Sequence, residues 1–180
     1  MEKVEPIRNI CDIDKIKSHL RGSNKRNYLL FVIGINTGMK SNKMLTLKFK
    51  DVMDHNYTIK EHIDLDGSIY FVNESINLAI TDFGLKRKID LDSYLFESQK
   101  SKVPINRSHL YKILNKTVHE CGIDVHIGNE TLRKTFGYHY YHKTGDVQYL
   151  KDIYNKTSKK AIFDYLCIES ESLQIKEFQL

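Results

Sequence analysis

The chain has 180 residues, of which 41% are hydrophobic and 28% are charged, and its net charge is +5. These values are ordinary for a single soluble domain that is long enough to bury a sizeable core. No apolar run approaches the length that crosses a membrane, so the sequence excludes a membrane-spanning helix. The mild excess of positive charge permits a nucleic-acid partner without requiring one.

Three cysteines, Cys11, Cys121 and Cys167, are odd in number and far apart along the chain. They include no Cys-x-x-Cys pair, which argues against a structural zinc site and for a reducing compartment. We therefore expect no metal site in this chain.

The N-terminal quarter of the chain predicts three helical segments. Apolar residues at helical spacing predict a short helix over residues 12–21, and the almost wholly apolar run 28–35 predicts a buried helix. Ser41 is a favourable helix cap, and we expect it to begin a further helical segment over residues 42–47.

A β-hairpin is predicted next, because two β-prone runs at 57–64 and 68–73 flank the dipeptide Asp66-Gly67. Asp-Gly between two such runs is typical of a two-residue hairpin turn. Local composition predicts three further elements, namely a short strand at 78–80, a helix at 82–91 and a loop at 100–104.

The second half of the chain is predicted to be helical. One helix begins at Asn106 or Ser108 and ends at Gly122. A central helix follows, with Asn129 as its predicted N-cap and with an apolar stripe that consists of Leu132, Phe136 and Tyr140. Arg133 lies at the edge of that stripe, where a guanidinium is either paired with a carboxylate or awaits an anion.

Three more helices complete the prediction. Asp146 is expected to cap a helix over 147–154, Ser158 to begin the last core helix, and residues 170–178 to form a small terminal helix. The fold class is therefore mainly α with a small antiparallel β-sheet (α+β), with helices on both sides of that sheet. We see no repeat, linker or low-complexity segment and expect one domain over residues 1–180.

The segment Thr131-Leu-Arg-Lys-Thr-Phe-Gly-Tyr-His139, followed by Tyr165, resembles the catalytic domain of tyrosine recombinases. More narrowly, it is similar to the integrases of phages and mobile elements, and the resemblance runs through nearly the whole chain. It implies the fold of that domain and leads us to expect that the family's N-terminal core-binding domain is absent.

The resemblance also implies a chemistry. Tyrosine recombinases cut DNA without a metal, because a tyrosine hydroxyl attacks the backbone phosphate and forms a 3′-phosphotyrosyl bond. Two arginines hold the phosphate oxygens, because the guanidinium fork matches a phosphate bidentately. Histidines and a lysine of a β-hairpin move the protons.

Five positions of this chain correspond to catalytic positions of the family. Tyr165 matches the nucleophile, and Arg133 matches one phosphate-binding arginine. Lys40 stands where an arginine normally follows Thr-Gly, and Lys156 stands where a histidine is usual. Glu130 replaces the histidine three positions before the arginine; it is either a base, or a helix N-terminal charge that pairs with Arg133.

The hairpin differs from the family as well. Its turn carries Asp66 and lacks the family's lysine, and the nearest alternative, Lys60, is misplaced within its predicted strand. Losing a general acid or base lowers a rate by roughly 10²–10⁴ and losing an oxyanion donor by roughly 10²–10³. We therefore expect DNA strand cleavage to be impaired.

Three hypotheses of function follow. The first is a diverged integrase that breaks and rejoins DNA, with integration and site-specific recombination as its activity. The second is a catalytically inactive integrase homologue that acts as a DNA-binding or recombinase-associated module. The third is a protein-only interaction domain.

Double-stranded DNA is the expected partner, and no cofactor or membrane is expected. The family also exchanges its C-terminal segment between protomers, so residues 170–180 could support a homo-oligomer on DNA. A bacterial, cytoplasmic protein is the corresponding expectation. The predicted DNA-binding residues are lysines near the inferred active site, namely Lys43, Lys48, Lys50, Lys134, Lys159 and Lys160.

Overall fold

A computed structural model of the chain describes residues 4–84, 88–98 and 101–169. In chain order, its elements are α1 (Ile10–Ser23), α2 (Lys25–Thr37), α3 (Ser41–Leu45), α4 (Phe49–Val52), β1 (His62–Leu65), β2 (Ser68–Phe71), α5 (Glu74–Gly84), β3 (Glu97–Ser98), β4 (Ser101–Pro104), α6 (Arg107–Glu120), α7 (Thr131–Thr144), α8 (Val147–Tyr154) and α9 (Lys159–Leu166). No described helix combines the length and the apolar composition that crossing a membrane requires. The predicted helix at 170–178 lies outside the described residues.

The predicted fold class, mainly α with little antiparallel sheet, is confirmed. The prediction of one sheet is wrong, because β1 pairs only with β2 and β3 only with β4, which gives two separate two-stranded sheets among the described residues. Two strands alone are marginal in water. Helix α4 contacts β1, and Arg26 of α2 donates to the Glu97 carbonyl of β3, so each pair is supported by a neighbouring helix.

Helix α2 lies at the centre of the main core and confirms the buried helix predicted from its apolar run. Its residues Leu29 to Ile33 are all fully buried. It packs against α1, α5 and α7. These neighbours cover its apolar side chains on all sides, as a helix without a polar face requires. The helix ends at Gly38, which adopts the left-handed conformation of a C-cap at φ 62°.

The predicted hairpin is confirmed over a shorter length. Asp66 and Gly67 have φ values of 50° and 74° and join β1 to β2, as a type I′ turn requires. Residues 57–61 do not belong to β1. There the chain pairs with the end of α4 instead, through a bridge between Met53 and Ile59 and a hydrogen bond from Lys60 N to Val52 O.

The strand predicted at 78–80 and the helix predicted at 82–91 are both wrong. Helix α5 contains all of the predicted strand and the first three residues of the predicted helix. The Asn73 side chain caps α5 by accepting a hydrogen bond from the Ile76 amide. The apolar residues of this run repeat at helical spacing, and Ile76, Ala79, Ile80 and Phe83 are buried. The helix ends at Gly84, residues 85–87 lie outside the described residues, and residues 88–91 are not helical.

The loop predicted at 100–104 is also wrong. Ser101–Pro104 forms β4, which pairs antiparallel with β3, while Lys100 lies outside the described residues. Pro104 stands at the end of the strand, where a missing N–H costs no ladder bond. The sequence signals of charge and proline therefore indicated a loop where a short edge strand forms.

A second, smaller apolar cluster lies beside the main core and is built by α8 and α9. Its buried members are Leu150, Tyr154, Ile162, Phe163 and Leu166. Helix α7 contributes to both clusters, because Leu132 belongs to the main core while Phe136 and Tyr140 pack onto the smaller one. The predicted apolar stripe of α7 is thus confirmed as an inward face.

Candidate active site

The entrance of α7 is built differently from the prediction. Asn129 is not the N-cap, because its side-chain oxygen is buried without a partner, and the cap position is Glu130. The Glu130 side chain forms no capping hydrogen bond. Instead, the Thr131 hydroxyl accepts from the Gly128 amide, and Ser41 of α3 donates to the Asn129 carbonyl. The Glu130 carboxylate is therefore available to another element.

That element is α9, which carries Tyr165. The Tyr165 hydroxyl donates a hydrogen bond of 2.8 Å to Glu130 Oε2. Burial raises the pKa of the Tyr165 phenol, and the nearby Glu130 charge raises it further, whereas Arg133 lowers it. The hydroxyl is therefore protonated at neutral pH and held beside a carboxylate.

Arg133 is buried one turn after Glu130 and is only 6% exposed. Its Nη2 donates to the Ile153 carbonyl at 2.6 Å, while its Nε is buried without a hydrogen-bond partner. The predicted ion pair between Glu130 and Arg133 is absent from the ion pairs of the described residues. A buried cation with an open N–H donor is a place where an anion would be stabilised.

Tyr154 positions Arg133, and sequence reasoning missed it. Its ring lies 4.7 Å from the Arg133 guanidinium carbon and 5.1 Å from the Tyr165 ring. Its hydroxyl donates to the Arg133 carbonyl at 2.7 Å, and burial raises the pKa of this phenol. A signal was present in the sequence, because Tyr154 continues the apolar spacing of Val147 and Leu150 on α8.

Gly137 permits this close packing. A Cβ atom on Gly137 would lie 2.4 Å from the Tyr154 hydroxyl oxygen and 2.7 Å from a methyl carbon of Leu166. Any side chain here would therefore push α8 and α9 away from α7. Tyr165 precedes Leu166 directly, so the close approach at Gly137 also brings the helix that carries Tyr165 against α7.

Two lysines lie against the Tyr165 ring. The Nζ of Lys156 is 5.3 Å from the ring centroid and that of Lys134 is 5.0 Å from it. Lys156 is half-buried, but Lys134 is only 6% exposed and donates to the Val4 carbonyl at 2.8 Å. The burial of Lys134 argues against the surface contact with DNA that the sequence predicts for it, and gives this lysine a place inside the site.

Lys40 and Lys43 lie at the short helix α3. Lys40 is the exposed N-cap residue of that helix, directly before Ser41. Because Ser41 donates to the carbonyl of Asn129, the residue before Glu130, the chain segments that carry Lys40 and Glu130 are adjacent. Lys43 pairs with Asp66 of the hairpin turn at 3.1 Å, so α3 and the turn are joined by opposite charges.

The remaining predicted lysines are at the surface or close to it. Lys50 is exposed and pairs with Asp92 at 2.7 Å, which raises the pKa of Lys50 and lowers that of Asp92. Lys48 is half-buried against the Tyr94 ring. Lys159 and Lys160 are exposed at the start of α9.

The described residues contain no group of three or more His, Cys, Asp or Glu side chains arranged to hold a metal ion. All three cysteines are free thiols.

Comparison with known proteins gives matches over nearly the whole chain. The family model described as "Phage integrase family" matches residues 7–169. The probable integrase/recombinase YoeC of Bacillus subtilis (strain 168) is 34% identical over 174 residues, which are 96% of this chain and 94% of that protein.

Solved structures of recombinases are similar as well. XerA recombinase matches with a TM-score of 0.71 at 17% identity, covering 96% of this chain and 62% of that one. XerH site-specific recombinase, in a pre-cleavage complex with its difH substrate, matches with a TM-score of 0.63 at 25% identity. The latter match covers 91% of this chain and 50% of XerH, so this chain spans less than two thirds of either recombinase.

Proposed function

The chain belongs to the phage integrase family and has the fold of a tyrosine recombinase catalytic domain, and on this premise we propose that it breaks and rejoins duplex DNA through Tyr165. The observation that carries the proposal is that one site contains a tyrosine hydroxyl and a buried arginine whose Nε–H has no hydrogen-bond partner. Tyr165 and Arg133 are linked through the ring of Tyr154, which contacts both. Site-specific recombination, and integration of a mobile element, is the activity that this chemistry would serve.

The proposed reaction is an exchange of one phosphodiester bond for another. The Tyr165 oxygen attacks the phosphorus and forms a 3′-phosphotyrosyl bond, while the bond to the 5′-oxygen breaks and leaves a 5′-hydroxyl. Arg133 neutralises the charge that builds on the non-bridging oxygens through its open Nε–H. Rejoining is the reverse attack by a 5′-hydroxyl, so the step conserves bonds and requires no external energy.

The rate is proposed to be low, because Lys40 stands in place of a family arginine, and Glu130 and Lys156 stand in place of family histidines. A lysine at position 40 supplies a point charge but not the bidentate fork of an arginine. Loss of one oxyanion donor lowers a rate by roughly 10²–10³, and such losses are not additive within one catalytic unit. Lys156 offers an ammonium where an imidazole is usual, and an ammonium supplies only hydrogen-bond donors and no acceptor.

DNA is proposed to lie across the face that carries these cations. We assign the phosphate contacts to exposed or half-buried lysines, namely Lys40, Lys43, Lys48, Lys50, Lys156, Lys159 and Lys160. Lys43 and Lys50 would have to exchange their carboxylate partners, Asp66 and Asp92, for phosphate. A homo-oligomer formed through residues 170–180, which lie outside the described residues, and a place in the bacterial cytoplasm complete the proposal.

A second function is a DNA-binding or recombinase-associated module without strand cleavage. The observation that favours it is the state of Tyr165, whose hydroxyl is held by a carboxylate and whose pKa is raised. A phenol in that state is a weak nucleophile unless its proton is removed during the attack. Under this hypothesis the fold persists and binds DNA after its chemistry is lost.

Covalent trapping on nicked suicide duplexes that pool candidate attachment sequences separates the two functions. We expect a slow DNA adduct with the native protein that disappears in Tyr165→Phe and remains in Tyr111→Phe, a control at an exposed tyrosine. A repaired protein with Lys40→Arg, Glu130→His and Lys156→His is compared beside them. If only the repaired protein reacts, the native chain is the binding module and the enzymatic proposal is overturned.

The salt dependence of DNA binding tests the third hypothesis, a protein-only interaction domain. Phosphate contacts release counterions, so a DNA-binding protein loses affinity by a slope of about 0.9 per contact on logarithmic axes. We expect a clear negative slope for the native protein. Absence of any salt-dependent binding to duplex DNA would favour a protein partner instead.

A further inference from the structure

Residues 4–8, which precede α1, form an N-terminal segment that packs along α7 without being a helix or a strand. The Ile7 amide donates to the Thr135 hydroxyl at 2.9 Å, and the Ile7 carbonyl lies 2.9 Å from Nε2 of His139. Both partners belong to α7, and Ile7 is only 2% exposed. The N-terminal segment is therefore fixed to the helix that carries Arg133.

The same segment also reaches the end of α9, two residues after Tyr165. Arg8 Nη2 donates to the Cys167 carbonyl at 3.3 Å, and the Cys167 thiol donates to the Val4 carbonyl at 3.6 Å. Val4 fits closely against Gly128, where an added Cβ atom would lie 2.4 Å from a methyl carbon of Val4. The N-terminal segment therefore joins the end of α9 to α7.

Lys134 reinforces this connection from the interior. Its Nζ donates to the Val4 carbonyl at 2.8 Å and lies 3.8 Å from the Cys167 sulfur. The same Nζ is 5.0 Å from the centroid of the Tyr165 ring. The lysine is only 6% exposed, and a buried ammonium is unfavourable unless polar groups surround it. These contacts therefore favour the arrangement in which α7, α9 and the N-terminal segment are together.

We propose that Lys134 is a positioning residue for Tyr165, and that it acts by holding the end of α9 against the N-terminal segment. The inference rests on the proposed function, because it concerns the placement of the nucleophile of that reaction. Attack requires the reacting atoms to be aligned and about 3–3.5 Å apart, and a displacement of about 1 Å can lower a rate by about 10²-fold. Restraints on α9 therefore bear directly on the rate.

The other contacts of Tyr165 leave this restraint to be supplied. The hydrogen bond from its hydroxyl to Glu130 is lost when the oxygen moves to phosphorus, at the step where placement matters. The ring contact with Tyr154 restrains the middle of the side chain. Helix α9 itself spans eight residues and ends at Cys167, which adopts the left-handed conformation at φ 56°. Because the contacts of Lys134 do not involve the Tyr165 hydroxyl, they persist during attack.

Rates of covalent adduct formation on the suicide duplexes, measured over a range of DNA concentrations, test the proposal. Lys134→Met keeps a long apolar side chain and removes the ammonium. We expect the rate at saturating DNA to fall about 10-fold or more, with DNA affinity unchanged within about twofold, because a buried lysine does not contact DNA phosphate. A Lys134→Met protein that reacts at the native saturated rate overturns the inference.

Two control variants separate positioning from loss of charge and from loss of stability. Lys15→Met removes the same charge from an exposed side chain of α1. Ile16→Val removes one carbon from a fully buried side chain of the main core. Rates are compared at a temperature at which every variant is folded, and we expect both controls to keep the native saturated rate. If Ile16→Val lowers the rate as much as Lys134→Met, destabilisation explains both losses and the inference fails.

Arg8→Met tests the same connection from the surface, where a substitution is compatible with folding. It removes the hydrogen bond to the Cys167 carbonyl, so we expect a smaller loss of about 2–5-fold in the saturated rate. The double variant with Lys134→Met is expected to lose less than the product of the two single losses, because both act on the end of α9. If Lys134→Met does not fold, an unchanged saturated rate in Arg8→Met overturns the inference.

Fluorine NMR of protein labelled with 3-fluorotyrosine gives a readout that needs no activity. The Tyr165 resonance is assigned by its loss in Tyr165→Phe. We expect Arg8→Met to shift or broaden this resonance, and amide hydrogen exchange in α9 to become faster, whereas Lys15→Met changes neither. Arg8 contacts the Tyr138 ring and the Cys167 carbonyl, so a response at Tyr165 reports movement of α9. An unchanged resonance together with unchanged exchange overturns the inference.

The two proposals fail in different ways. A Tyr165-dependent adduct that forms at the same saturated rate in Lys134→Met overturns the positioning role but leaves strand cleavage intact. A native protein that forms no adduct on any pooled duplex overturns strand cleavage and the positioning role together, even if the fluorine resonance still responds.

Discussion

Gly137 shows how a single residue sets the geometry of the site. Its missing side chain lets Tyr154 and Leu166 lie close to the backbone of α7. The Tyr154 ring contacts the Arg133 guanidinium, and Leu166 directly follows Tyr165 in the chain. Arg133 then needs no carboxylate partner, because Tyr154 and the Ile153 carbonyl hold it. At the residue scale, the site is therefore organised by packing as much as by charge.

Gly137→Ala is expected to destabilise the protein by about 1–3 kcal/mol, because the new methyl group overlaps Tyr154 and Leu166 and both helices must shift. Urea denaturation measures this change in the free energy of unfolding. Gly22→Ala in α1 is the control, because a Cβ atom added there would meet no neighbouring atom within 4 Å. There we expect stabilisation of about 0.5–1 kcal/mol from helix propensity, and an equal loss at both positions would contradict the packing argument.

At the scale of elements, α9 is the part that brings Tyr165 to the site. The helix spans only Lys159–Leu166, and Ser158 is its N-cap. The Ser158 hydroxyl accepts a hydrogen bond from the Ala161 amide, so the predicted start is confirmed. A helix of two turns has little stability of its own. Its cap and its contact with α7 are therefore expected to determine how firmly Tyr165 is held.

Ser158→Ala is expected to cost about 1 kcal/mol, because it leaves the Ala161 amide of α9 without its partner. Thermal or urea unfolding gives the magnitude, and amide hydrogen exchange shows whether the loss is confined to α9. Thr157→Ala, one exposed residue earlier, is the control and is expected to change stability by less than about 0.5 kcal/mol. Equal effects at both positions would argue that the cap contributes nothing.

Helix α5 shows why local patterns misled at this scale. The short run of apolar and β-branched residues at 78–80 is equally typical of a buried strand and of part of a helix. The cap from Asn73 and the packing of Ile76, Ala79 and Phe83 against the core decide for the helix. Asp82, inside α5, then pairs with Arg21 and Lys25 and ties α5 to the first two helices.

At the scale of the whole molecule, the buried phenol of Tyr154 and the half-buried phenol of Tyr165 link stability to pH. The pKa of Tyr154 is raised by burial above its ordinary value of 10.0, and that of Tyr165 is raised as well. A raised pKa means that the folded state keeps the proton after the unfolded state has lost it. This contribution to stability is fully present below about pH 10 and is lost as pH rises from there toward the folded pKa.

Tyr154→Phe is expected to flatten this alkaline decline. One phenol with a strongly raised pKa contributes about 2 kcal/mol of stability loss between about pH 10 and about pH 12. Near neutral pH the same variant is expected to lose only about 0.5–1.5 kcal/mol, for the missing bond to the Arg133 carbonyl. Unfolding free energies of native, Tyr154→Phe and Tyr111→Phe proteins at both pH values test this, and identical alkaline slopes in all three would contradict it.

The amino-acid sequence by itself determined the features that depend on local rules or on a shared motif. The buried helix α2, the Asp66-Gly67 turn and the caps at Asn106, Asp146 and Ser158 follow from propensity and hydrogen bonding within a few residues. The resemblance also singled out Tyr165 and Arg133, because a motif fixes residue type and spacing.

Only the tertiary structure decided what those residues touch. It joined Glu130 to Tyr165 across 35 positions of sequence, buried Lys134 against Val4, and placed Tyr154 between Arg133 and Tyr165. The contact of Lys134 with Val4 joins residues 130 positions apart in the chain. The contacts of Glu130 with Tyr165 and of Tyr154 with Arg133 depend on the distance between α7 and the α8–α9 pair, where packing is close at Gly137. No periodicity along the chain encodes that distance.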